Sequence, residues 1–269
     1  MRIEVLGRLA SVVLLLFVGR AIAQENRLET SPRHLEWVDV NHGDRTVKCF
    51  IAYPEVPDKA QAVIVIHEIF GLTDWVRGVT DQLAEAGYIA IAPDLLSGMG
   101  PDGGGSDSFG GGDGVRRAIR DLSGEQVTAD LNAVAKYVTT LPAANGTVSV
   151  GGFCWGGSQT FRYATNNPDL KAAFVFYGSG PDDPAAIARI DCPVYGFYGG
   201  NDARVNSTIP KSKELMQAAG KTYEPEIYEG AGHGFMRQGE QTTDPNDANR
   251  KARDEAWQRW KTILGGLSN

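Results

Sequence analysis

Residues 147–158 read Thr-Val-Ser-Val-Gly-Gly-Phe-Cys-Trp-Gly-Gly-Ser, and the thiol of Cys154 is the group in them that can do chemistry. A β-branched run leads into the glycines, and Gln159, Thr160, Phe161, Arg162 and Tyr163 can open a helix behind them. The spacing predicts a strand, a sharp turn and a helix with the cysteine at the tip. A nucleophile on such an elbow leaves no room for a Cβ two residues before or after it, and Gly152 and Gly156 meet that demand. The unsatisfied N–H groups and positive dipole end of the following helix favour thiolate over thiol, and the thiolate is the nucleophile. Alone, a Gly-x-Cys-x-Gly motif is equally a small buried residue on a glycine-rich loop.

Two further residues decide between these readings. Asp202 ends the sequence Gly199-Gly200-Asn201-Asp202 after an apolar run at 192–198, and His233 lies in Gly230-Ala231-Gly232-His233-Gly234-Phe235 after a run at 222–228. Each alone reads as an ordinary turn or loop residue. Together they stand at the ends of successive late strands in the order nucleophile, acid, histidine. His233 would then take the thiol proton and return it to a leaving alkoxide, with Asp202 fixing its tautomer and orientation. Cys154, His233 and Asp202 are also metal-ligand types, but they lack any short paired spacing, so no metal and no cofactor is expected.

The elements that must position these groups follow from the hydrophobic pattern. Residues 35–40 and 46–53 suit an antiparallel edge hairpin. Residues 62–66 form a continuous apolar run, as in a strand buried on both faces of a parallel sheet, and His67-Glu68-Ile69-Phe70-Gly71-Leu72 follow at its carboxyl end, where such sheets bind ligands. Asp74 is expected to cap a helix over 75–86, and a strand follows at 88–92. Residues 97–114 are dense in glycine with interspersed aspartates and read as a long mobile loop, a lid or flexible border of the pocket, since a calcium-binding repeat would need stacked copies. A crossover helix is predicted over 125–141, strands over 172–177 and 192–198, a helix over 210–219, a strand over 222–228, and a terminal helix over 247–264 with Ala252, Ala256, Trp257, Trp260 and Ile263 inward. This alternation defines an α/β class with a mostly parallel, doubly wound sheet.

The first 23 residues are a separate object. Arg2 and Arg8 flank a charged n-region, 9–18 is almost wholly apolar, and Ala21-Ile22-Ala23 supplies a small-residue cleavage site before Gln24. This is a signal-peptide pattern too short for a comfortable membrane span, although Arg20 in the c-region leaves an uncleaved anchor as the alternative. The expectation is a secreted, periplasmic, soluble monomer whose single domain occupies 24–269. Removing three arginines and one glutamate takes the formal charge from −7 to −9, a poor basis for nucleic-acid binding. Three cysteines make no disulfide framework: Cys49 and Cys192 either bridge or, more in keeping with their apolar surroundings, stay buried as free thiols. A thiol-redox protein would want a second cysteine near Cys154, and a ligand-binding relative without catalysis would have lost part of the site.

The motifs at 67–71, 152–157 and 230–235 resemble the three signature regions of the dienelactone hydrolases, or carboxymethylenebutenolidases, over roughly residues 47–264. The resemblance implies a single-domain α/β-hydrolase fold and a small-molecule lactone or ester substrate. It makes Glu68 the carboxylate that restrains the resting cysteine and becomes its base when an anionic substrate displaces it, and a carboxylate beside a buried strand end needs such a partner in any case. By position, the backbone N–H groups of Trp155 and Ile69 form the oxyanion hole. Arg237 matches one of the arginines that clamp the carboxylate of dienelactone, a task suited to its bidentate geometry. Tyr177 is a further candidate for substrate contact. The second arginine's segment is replaced by the glycine-rich stretch, leaving Arg116, Arg117 and Arg120 as unaligned candidates. Gly234 and the apparent export also depart from the family pattern, which leaves a broader carboxylesterase of neutral esters as the alternative.

Overall fold

A computed structural model of the chain describes residues 27–267 apart from residue 245. The leader expected at 1–23 lies outside the described residues. The remainder builds one eight-stranded sheet in the order β1-β2-β4-β3-β5-β6-β7-β8. The strands are β1 (Leu35–His42), β2 (Arg45–Ala52), β3 (Ala60–Ile66), β4 (Ile89–Pro93), β5 (Ala144–Phe153), β6 (Ala173–Phe176), β7 (Val194–Gly199) and β8 (Tyr223–Tyr228). β1 and β2 pair antiparallel as a hairpin, β2 joins β4 antiparallel, and the remaining pairings are parallel.

The alternation along β3 shows how the layers form. Ala62, Ile64 and Ile66 enter one core, and Val63 and Val65 enter the other. The first core is covered by α3 (Gly124–Thr139), α4 (Trp155–Ala164), α5 (Pro184–Ile187) and α7 (Ile209–Ala218), through Leu131, Val134, Phe161, Ile187 and Met216. The second is covered by α1 (Asp74–Glu85) and α9 (Ala248–Leu267). On α9, Ala252, Ala256 and Trp260 are buried as the pattern predicts, Trp257 and Ile263 are partly buried, and Leu264 completes the stripe. Among the described residues, no helix is long and apolar enough to cross a membrane. Cys49 and Cys192 are buried free thiols, and burial pushes the Cys192 thiol up to about 12.

Two expectations are corrected. Thr73, not Asp74, is the N-cap residue of α1; Asp74 lies in the first turn and pairs with Arg77. Residues 97–114 are not a featureless loop. Two short 3-10 turns, Pro101–Gly103 and Ser106–Phe109, lead into α2 (Gly112–Asp121), a helix that glycine's poor helix propensity hides at its start. Asp94, at the end of β4, accepts from Ser106 N at 2.7 Å and Ser106 Oγ at 2.6 Å, and Gly100 N donates to Gly104 O at 2.9 Å. The segment is a hydrogen-bonded border. Val115 and Ile119 of α2, with Phe109, pack against Ile69 and Trp155.

Candidate active site

All candidate residues stand beyond the carboxyl ends of strands. β5 ends at Phe153, and Cys154 is the N-cap of α4 with φ 58° and ψ −115°, a backbone conformation that non-glycine residues rarely adopt. The glycines explain how the turn closes: a Cβ on Gly152 would lie 2.4 Å from Gly156 O, and one on Gly156 would lie 2.4 Å from His67 O. The elbow is therefore wedged against the backbone that leaves β3.

The thiol lies on the histidine. Cys154 Sγ is 3.1 Å from His233 Nε2, and His233 Nδ1 is 2.5 Å from Asp202 Oδ2. The carboxylate of Asp202 is buried and also caps α6 (Ala203–Asn206), its Oδ1 accepting from Val205 N at 3.3 Å. With Asp202 as acceptor, Nδ1 carries the proton and the Nε2 lone pair faces sulfur. The His233 loop is held from behind: Gly232 N donates to Asn249 Oδ1 at 2.8 Å, and Gln238 Nε2 to His233 O at 2.7 Å. Gly234, at φ 77°, turns the chain into α8 (Phe235–Gln241). That helix and its two anchors escape a sequence reading, because Gly239 interrupts a helical pattern only seven residues long and Gly234 stands directly before it.

The contact with Cys154 raises the His233 pKa above its ordinary 6.5; the bond to Asp202 and both partners' charges add to this, and desolvation opposes it. The proton on His233 thus contributes stability that is fully present below pH 6.5 and is lost as pH rises through the raised midpoint. Following the His233 ring protons by NMR is expected to give a midpoint above 6.5 in the parent protein and a lower one in Cys154→Ala, where the largest cause is gone.

Glu68 is buried and pairs with Arg237, Nε donating to Oε2 at 2.8 Å. Burial raises its carboxyl above the usual carboxylate range, while Arg237 and the His233 charge pull the other way. The structure thus sets the thiol on His233 and the carboxylate on Arg237, the partner expected to meet substrate. The guanidinium of Arg237 lies 5.2 Å from the ring centre of Phe70, and that of Arg116 lies 5.4 Å from the same ring. Of the three unaligned arginines, Arg116 is the one brought to this loop; Arg117 and Arg120 are exposed on α2. The spacing Val115, Ala118, Ile119 was the signal for that helix face.

Tyr177, at φ 41°, is buried, with its ring edge-on to His233 at 5.1 Å. Its hydroxyl is buried without a hydrogen-bond partner among the described residues, and burial holds its pKa well above 10. It backs the histidine rather than lining an open surface.

Ile69 N donates to no acceptor among the described residues, and the first N–H of α4, that of Trp155, has no intrahelical acceptor. Both N–H groups are therefore uncommitted as donors among the described residues.

A mostly parallel sheet with cysteine, aspartate and histidine in this order beyond its carboxyl edge defines an α/β-hydrolase. The chain belongs to the dienelactone hydrolase family, whose sequence profile matches residues 47–268. It is 34% identical over 197 residues to a Salmonella typhimurium protein provisionally named a carboxymethylenebutenolidase, covering 69% of this chain and 72% of that protein. A Bradyrhizobium protein provisionally named a 2-oxo-3-(5-oxofuran-2-ylidene)propanoate lactonase is 27% identical over 214 residues, covering 75% and 84% of the two chains. Among solved structures, one from Klebsiella pneumoniae, provisionally described as a dienelactone hydrolase, superposes with a TM-score of 0.75 at 26% identity, over 87% of this chain and 98% of that one. Family and relatives together support a hydrolase that acts on lactones or esters.

Proposed function

We propose that the protein opens a lactone or cleaves a small carboxylic ester through a thioester at Cys154. The observation that carries this reading is the continuous contact from Cys154 Sγ to His233 Nε2 to Asp202 Oδ2. The sulfur attacks the carbonyl carbon as its proton passes to His233, and the carbonyl oxygen gains charge opposite the N–H groups of Trp155 and Ile69. The C–O bond then breaks, with His233 returning the proton to the alkoxide, which in a lactone stays tethered to the acyl chain. Water, deprotonated by His233, attacks the thioester and releases the carboxylate and the thiol.

Glu68 and Arg237 act as one unit beside this centre. An anionic substrate that engages the guanidinium competes with Glu68 for it, and the displaced carboxylate becomes a base for the thiol, a task that falls to His233 alone when the substrate is neutral. The same ion pair favours a second reading, a carboxylesterase of neutral esters, because Arg237 is already neutralised by Glu68. The leader pattern of residues 1–23 supports export to the periplasm, where the enzyme would act as a monomer on a small molecule.

Hydrolysis of dienelactone and of a neutral aryl ester by the mature protein, with Cys154→Ala as the blank, separates the readings. Dienelactone turnover lost in the variant is the expected result. Ester turnover alone, also lost, selects the second reading. Turnover of neither substrate above the blank contradicts both.

A further inference from the structure

His67 is fully buried beside the candidate site, and the mechanism above gives it no task. Its Nδ1 lies 2.8 Å from Glu68 O, and because a carbonyl only accepts, Nδ1 carries the proton. Burial lowers its pKa, so the ring is neutral. Its other nitrogen, Nε2, is buried with no hydrogen-bond partner among the described residues. A buried acceptor left unpaired is a cost that calls for a reason. The ring also stacks on the Trp155 side chain, at 5.4 Å between centres with planes 18° apart.

One contact ends on the peptide unit that carries the Ile69 N–H and the other on Trp155, the two donors that the thioester reading assigns to the oxyanion hole. Glu68 C=O and Ile69 N–H belong to one trans peptide unit, so they point in opposite directions. Glu68 O accepts from the His67 ring and also from Gly71 N at 3.2 Å. Pinning the oxygen from that side fixes the N–H on the other. Stacking on Trp155 fixes the first residue of α4, and the carbonyl of His67 lies against Gly156 in the same turn.

We propose that His67 is a positioning residue that holds the Ile69 and Trp155 N–H groups in register as one oxyanion hole. This rests on the thioester reading above. It implies that His67 matters where a carbonyl oxygen gains charge and not where sulfur attacks a saturated carbon.

The test compares ester turnover with alkylation of Cys154 by iodoacetamide, a displacement of iodide that develops no oxyanion. In the mature protein, His67→Phe keeps a flat ring but removes the donor, and His67→Asn restores a donor near Nδ1. His67→Met is measured alongside, so that a folding failure of the phenylalanine variant leaves an apolar comparison. The expected result is a fall in kcat of roughly 100-fold in the apolar variants, KM within about threefold, and an alkylation rate within about twofold of the parent. The asparagine variant should regain about tenfold or more in kcat. An unchanged kcat in the apolar variants overturns the inference, as does alkylation that slows in step with turnover, or no recovery with asparagine. Absence of Cys154-dependent turnover in the parent protein is a different failure: it removes the thioester reading, and this inference with it.

Discussion

Cys154→Ala is expected to lower kcat/KM for a lactone or aryl ester by roughly 10⁵-fold. Sulfur is the atom that forms the bond, so nothing else in the chain of contacts compensates for it; His233 can deprotonate water in its place, but water is not held on the elbow. The loss should leave the fold intact. Position 154 keeps its φ of 58°, which costs alanine about what it costs cysteine, and the surrounding glycines are untouched. A thermal midpoint within a few degrees of the parent, alongside the kinetic loss, separates missing chemistry from lost structure. A variant that retained a tenth of the parent rate would show that another group attacks.

The second large effect is expected at Asp202. Its two oxygens have separate tasks: Oδ2 accepts from His233 Nδ1 at 2.5 Å and Oδ1 from Val205 N at 3.3 Å. Asparagine has one acceptor oxygen and so serves only one of them. If the oxygen keeps Val205, the amide faces Nδ1 as a donor, drives the proton to Nε2, and leaves no lone pair for the thiol proton. If the oxygen keeps His233, the amide confronts the Val205 N–H and the cap of α6 is lost, at a cost of about 1 kcal/mol. Keeping the contact with His233 would preserve the tautomer but not the negative charge, so the rate falls in either orientation. The buried, short contact at Nδ1 and the negative charge it needs to stabilise an imidazolium argue for a fall in kcat of roughly 10⁴-fold. Steady-state kinetics with a melting curve for Asp202→Asn checks this, and a kcat within tenfold of the parent contradicts the assigned role.

Cys154, Asp202 and His233 were legible in the sequence because each sits on punctuation that a strand end imposes: glycines that admit a tight turn, followed by a polar residue, after an apolar run. The sheet was legible for a related reason, since runs such as 62–66 are apolar on every residue only when both faces are covered. Glu68 stood out as a carboxylate beside such a run, but its ion-pair geometry did not, because Arg237 lies 169 residues away and nothing local specifies the contact. His67 looked like one more polar group on the same loop; that its ring is buried, stacked on Trp155 and bonded to the next carbonyl is a property of packing. The helix at Gly112–Asp121 was hidden by its glycines, and with it the placing of Arg116 over Phe70. Asp94 and Ser106, which hold the preceding segment, are ordinary turn residues until the chain between them, twelve positions from one to the other, folds back.

The thioester mechanism makes one claim above all, that the sulfur of Cys154 carries a covalent acyl group during turnover. Acid-quenching the mature protein during turnover of an aryl ester and measuring its intact mass tests that claim directly. The predicted result is a mass gain equal to the acyl group, mapped to the peptide containing Cys154, discharged by hydroxylamine and absent from Cys154→Ala. Acylation of a different residue, or turnover by Cys154→Ala at the parent rate, would contradict it.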